Sequence, residues 1–240
     1  MTETALTPTA TASAARSDPT VGFRRRAGAI ALPLGIGGQL VANAVYATVT
    51  MSGLGDTGSG AETLEFYRRY ATEMQVASVA AMLGALLLVP GLLAAVRVLR
   101  TTKPRLSLWA GGLMLAGYLC YFGVVASNSL TVALAQAHLA AGPALDAAQT
   151  MWSSIPLFLV FVVGNIGGTA LLGIAVLLSR SAVPRIAGVL ILAWPLAHVT
   201  GLIVGSEWIE VAGGSLEVIG LCFLTAAALR TPNDEWVRRG

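Results

Sequence analysis

Residues 74–96 read MQVASVAAMLGALLLVPGLLAAV, a run of 23 residues between Glu73 and Arg97 without a charged side chain. A bilayer core of ~30 Å takes about 20 apolar residues as a helix rising ~1.5 Å per residue, so this run can cross one. Working outward, the pattern recurs: 27–55, 106–145, 147–179 and 186–206 contain no Asp, Glu, Lys or Arg, and 211–229 contains only Glu217. Of the 240 residues 55% are apolar and 11% charged, and the mean hydropathy is +0.74. So few charges cannot cover a water-soluble surface. The expected fold is all-α, a polytopic transmembrane bundle of six helices spanning about 27–50, 76–98, 106–128, 156–178, 186–204 and 211–229.

The flanks set the domain limits. Residues 1–23 are rich in Thr, Ala, Ser and Pro and read as a disordered cytoplasmic tail. A six-helix domain follows over 24–230, and 231–240 form a second cytoplasmic tail. The FRRRAG run at 23–28 and Ala42-Asn43-Ala44 imitate a secretory signal, but Pro33, several glycines and five further spans favour a retained first helix. Counted by connection, thirteen of the fifteen basic residues fall in the N-terminal tail, 97–105, 180–185 and 230–240. The opposite connections hold only Arg68 and Arg69, with seven acids. The positive-inside rule then places both termini in the cytoplasm of a multi-pass plasma-membrane protein. Topology accounts for the basic residues, so no nucleic-acid partner is expected; membrane lipids are.

Smaller features fit this plan. Arg100, Arg180 and Arg230 each end a span and precede a proline within four residues, which offsets the helix dipole and stops the helix. Ser59 and the acids after it predict a helix over 61–75 that begins outside the membrane. Residues 129–141 extend the third span, with Gly142-Pro143 as the stop. Cys120 and Cys222 lie inside spans and read as buried packing residues. Gly164-x-x-x-Gly168 would let a neighbouring helix approach closely, whether from this chain or from a partner.

Ionisable groups inside spans are costly and therefore mark candidate sites. This chain has two, His198 and Glu217. A hairpin folded about position 207.5 sets them opposite each other, where an imidazole and a carboxyl could share a proton or fix packing by a hydrogen bond. Gln39, Tyr118, His198 and Glu217 each lie 13 residues from a flanking arginine, and Asn165 lies 15, which puts all five at ~20 Å from the cytoplasmic boundary. Gln39, Asn43, Tyr46 and Thr50 continue along one face of the first helix, as Tyr118, Tyr121 and Asn128 do on the third. The candidate catalytic pair is thus Glu217 and His198, and the candidate ligand-binding set is Gln39, Asn43, Tyr46, Tyr118, Tyr121 and Asn165. Scattered interhelical hydrogen bonds would produce a similar set.

Several chemistries lack their residues. No G-x-S-G nucleophile, H-E-x-x-H pair or G-x-x-x-x-G-K-[ST] loop occurs, and two distant histidines make no metal site. No metal and no cofactor is expected. The charge layout, the helix at 61–75, LLLVPGLLAAVRVLR at 86–100 and PRIAGVLILA at 184–193 resemble uncharacterised six-helix membrane proteins of GC-rich Gram-positive bacteria, grouped as a domain of unknown function. The resemblance covers about 24–230 and carries over no catalytic residue. The leading expectation is a protein that binds or conducts a small or lipid-like ligand in an outward-facing polar cavity. The alternatives are an intramembrane acid/base enzyme on a lipid or isoprenoid, with Glu217 as acid and His198 as partner, and a structural or regulatory membrane subunit.

Overall fold

Side chains with no charge and strong helix propensity leave the backbone one way to satisfy itself in a bilayer, and helix is what forms. The computed structural model describes residues 18–51, 58–179 and 183–240, and no strand occurs among them. The expected tail falls outside the described residues up to position 17, as does Arg180. In chain order the helices are α1 (Val21–Thr50), α2 (Gly60–Arg69), α3 (Ala71–Arg100), α4 (Pro104–Ala126), α5 (Asn128–Gln136), α6 (Gly142–Gln149), α7 (Ser154–Val162), α8 (Gly168–Leu178), α9 (Arg185–Val204), α10 (Glu207–Arg230) and α11 (Asn233–Arg238). Taken as rods, α1, α3, α4–α5, α7–α8, α9 and α10 are six candidate membrane spans.

Local chemistry explains the boundaries. Ser59 caps α2 and Glu62 returns the bond, a reciprocal capping box. The helix expected over 61–75 breaks at Tyr70, whose φ of −117° and ψ of 34° leave the helical region. The extension after the third span is shorter than expected, ending at Gln136, and His138 takes a φ of 54°. Gly142-Pro143 does not stop that helix. It opens α6, where proline costs nothing because the first-turn N–H groups lack helical partners anyway. Gly205, at φ 72°, reverses the chain between α9 and α10 in a conformation that only glycine adopts readily.

The six rods form a closed ring in chain order. α1 packs on α3, α3 on α4, α4 on α7 and α8, α8 on α9, α9 on α10, and α10 closes on α1. The α1–α3 seam is tight, since a Cβ on Gly84 would come within 2.5 Å of the Gly35 carbonyl oxygen. Both ends of the described chain meet at one end of the ring, where Arg25 donates to the carbonyls of Ala228 and Leu229 at 3.2 and 2.6 Å. The half nearer that end is filled by Leu32, Leu88, Leu92, Leu172, Ile191, Leu221 and Leu224, all essentially inaccessible. Outward faces carry exposed Leu34, Leu83, Leu119, Phe158 and Leu196. Such a surface would aggregate in water, whereas hydrocarbon accommodates it.

Candidate functional site: a polar cavity inside the ring

Above the aliphatic half, on the side away from the termini, five of the six spans turn polar groups toward one cavity of about 60 Å³. From α1 come Gln39 and Asn43, from α4 Tyr118 and Tyr121, from α9 His198, and from α10 Glu210 and Glu217. The α7–α8 rod contributes Asn165 from a π-helical turn over Val163–Gly167. Single π turns insert one residue into a helix and recur at functional sites. Gly164 and Gly168, on either side of Asn165, seat this rod against α4 of the same chain. Cβ atoms there would lie 2.4 Å from the Leu113 carbonyl oxygen and 2.7 Å from Met114. The contact expected of this glycine pair is therefore made within the bundle.

Most of the sequence-derived candidates converge, and two placements differ. Tyr46 does not line the cavity. Its ring meets Phe66 of α2 edge-on at 6.1 Å, because the α1 stripe rises past the cavity into the apolar cluster beneath α2. Asn128 likewise leaves the stripe, donating to Ser78 Oγ at 3.2 Å. The second difference concerns the ion pair. His198 Nδ1 lies 2.8 Å from Glu210 Oε2, not beside Glu217. α9 ends at Val204 as expected, but the left-handed Gly205 makes a tight turn and α10 begins at Glu207 rather than near 211, so the two helices pair with a centre near 204 rather than 207.5. Glu210, one of the seven acids that the sequence places in the outer connections, also lines the cavity. Its signal was the i, i+7 spacing from Glu217, which puts both carboxyls on one face of α10 about two turns apart.

Each ionisable group has a distinct setting. His198 stacks on Trp194, one turn earlier on α9, at 5.0 Å and 24°. Its side chain is 23% exposed, whereas that of Glu210 is 7% exposed, so the pair joins a buried acid to a more accessible imidazole. Gln39 Nε2 donates to the Ala81 carbonyl of α3 at 2.8 Å, which ties the remaining span to the cavity wall. Tyr121 stacks on Phe161 at 4.7 Å. Glu217 is only 1% exposed, and its Oε1 has no hydrogen-bond partner. Asn165 Oδ1 and Thr169 Oγ are also buried without partners.

The unmet oxygens give the site its chemistry. Among the described residues lining the cavity there is no lysine or arginine, so protein cations do not offset Glu217. A bare carboxylate there would cost several kcal/mol, and the group needs a proton or an external cation. Its unmatched oxygen and that of Asn165 are both acceptors, so the cavity suits a species that brings N–H or O–H donors. Among the described residues no cluster of three or more His, Cys, Asp or Glu side chains could hold a metal ion. Compared with known proteins, the chain matches no family model, no curated protein and no solved structure, and the reading of this site rests on its own residues.

Proposed function

We propose that this chain is a multi-pass plasma-membrane protein, with both termini cytoplasmic, that binds a small hydrogen-bond-donating cation in an outward-facing cavity, with Glu217 as the counter-charge. The observation that carries the reading is the unpartnered carboxyl oxygen of Glu217, fully buried in a cavity lined by a second acid and by no basic chain other than His198. Four aromatic rings, Tyr118, Tyr121, Phe161 and Trp194, surround the same space and favour a cation further. Size limits the ligand. A cavity of about 60 Å³ is far below the roughly 300–1,000 Å³ of drug-sized ligand sites, so it suits an ammonium or methylammonium ion better than a lipid chain. The aliphatic half below the cavity favours binding over free conduction. The acid/base reading on a lipid has less support, because His198 is bonded to Glu210 and the cavity is far smaller than an isoprenoid chain.

The test is thermal stability of the purified chain in detergent against methylammonium chloride, with sodium chloride at equal ionic strength as the control. A ligand at 100 times its dissociation constant adds about 2.7 kcal/mol to stability, which such an assay resolves. Saturable stabilisation by methylammonium that disappears in Glu217→Gln is expected. A flat titration, or an equal response in Glu217→Gln, would overturn the proposal.

A further inference from the structure

A second cavity lies at the opposite end of the ring and shares no residue with the first. It is a groove of about 550 Å³ between α1 and α3, closed at its sides by the start of α4 and by α11. That volume falls in the range of small-molecule sites, roughly 300–1,000 Å³. Its floor is the close approach of Gly28 to Pro90, where a Cβ on the glycine would sit 3.0 Å from the Pro90 carbonyl oxygen. Its walls include Phe23, Leu93 and Leu108, which are 73%, 58% and 56% exposed and face outward from the bundle.

Charge is graded along the groove. Arg97 and Arg100 stand one and two helical turns nearer the end of α3 than Leu93, and Arg24 holds the matching position on α1. Arg24 is paired with Asp18. Among the described residues Arg97 and Arg100 enter no ion pair. The Arg97 guanidinium instead lies over the Trp236 ring of α11 at 5.5 Å, and Arg100 donates to the Arg239 carbonyl at 3.3 Å. Both contacts hold the guanidinium groups at the rim without neutralising them. Among the described residues no Asp or Glu side chain lines the groove.

We infer that this groove binds one anionic phospholipid, its phosphate on Arg97 and Arg100 between Phe23 and Leu108, and an acyl chain along Leu93 and Pro90. The order of groups is that of the lipid itself, with Arg97 and Arg100 at headgroup depth and Leu93 and Pro90 about 5–15 Å deeper on α3. Guanidinium groups bind phosphate through paired, charge-assisted hydrogen bonds, and basic pockets between spans take anionic headgroups in this way. The lipid would brace α11 and the chain end against the α1–α3 seam. The inference depends on the chain residing in a membrane but not on what the polar cavity binds.

The experiment uses the full chain purified in mild detergent, mixed with phosphatidylglycerol or phosphatidylcholine, with retained lipid counted by native mass spectrometry. One phosphatidylglycerol per chain is expected, with phosphatidylcholine retained at least about tenfold less, the scale set by two cations meeting a net negative headgroup in the first and a phosphate balanced by its own choline cation in the second. Arg97→Gln with Arg100→Gln should remove that preference. Ala27→Trp should block retention with the charges unchanged, because Ala27 lines the groove and is exposed, so a large ring there meets no packed core. Arg105→Gln with Arg185→Gln, at the same end but outside the groove, should retain the lipid as the wild type does. Equal retention of the two lipids, or undiminished phosphatidylglycerol in Ala27→Trp, would overturn the inference. Displacement by millimolar inorganic phosphate would assign the arginines to a free anion and overturn it too. The methylammonium response of Ala27→Trp should be unchanged, which separates failure here from failure of the polar-cavity reading.

Discussion

The same six rods build two unlike halves. Toward the termini, Leu32, Leu88, Leu172, Leu221 and Leu224 fill the inside of the ring and the groove lies on its outer side; one to two turns higher, Gln39, Tyr118, Asn165, His198 and Glu217 surround a cavity within the ring. The buried oxygens without partners, on Glu217, Asn165 and Thr169, belong to the open half, whereas the filled half carries such atoms only at its rim, on the Arg25 and Arg239 side chains. Packing therefore concentrates in one half and unmet chemistry in the other. Truncating a side chain in the filled half should cost more stability than truncating one that lines the cavity, whose loss should show mainly in binding.

The largest effect is expected where α7–α8 is pressed against α4 at the level of the cavity. Gly164→Val would place side-chain atoms where even a Cβ lies 2.4 Å from the Leu113 carbonyl oxygen and 2.6 Å from Gly117 Cα. Backbone cannot yield as a side chain can, so a loss of about 3 kcal/mol or more is expected, and little monodisperse protein should survive size-exclusion chromatography. Wild-type yield and stability would remove the claim that this seam supports the cavity wall. Next in size is Leu224→Ala, which empties space in the filled half at a cost of about 2–5 kcal/mol. Thermal unfolding in detergent should show it, with the methylammonium response retained in whatever protein stays folded.

His198→Ala should cost less, about 1–3 kcal/mol, because it leaves the buried Glu210 without its hydrogen-bond partner but creates no void in the filled half. His198→Gln, which keeps a donor, should recover part of the loss in the same assay. If His198→Ala proved as costly as Leu224→Ala, the division of labour between the halves would fail. The smallest stability effect belongs to Glu217→Gln, within about 1 kcal/mol of wild type and possible in either direction, since an amide is cheaper to bury than a charge. Its consequence should be functional. A change of several kcal/mol in this variant would mean that Glu217 holds the bundle together rather than waiting for a ligand.

Much of this was legible in one dimension. Runs without charge, bounded by arginine and proline, located the spans, because a bilayer selects for length and polarity, and both can be read along a chain. Counting 13 residues from flanking arginines placed Gln39, Tyr118, His198 and Glu217 at one depth, because helical rise is constant. Pairing across the ring was not legible. The Gly205 turn moved the α9–α10 centre from 207.5 to near 204 and gave His198 to Glu210, seven residues from the expected partner, and such a shift at a turn cannot be inferred from helix periodicity. Tyr46 left the expected set for the same kind of reason, since the apolar cluster under α2 competes for its ring. The π turn at Asn165 and the 60 Å³ size of the cavity depend on how six surfaces meet. Sequence alone determined which residues share a depth in the bundle, since depth follows from counting along a helix. Only the tertiary structure decided which of them touch, since contact depends on turns and on the close approach that glycines permit between neighbouring rods.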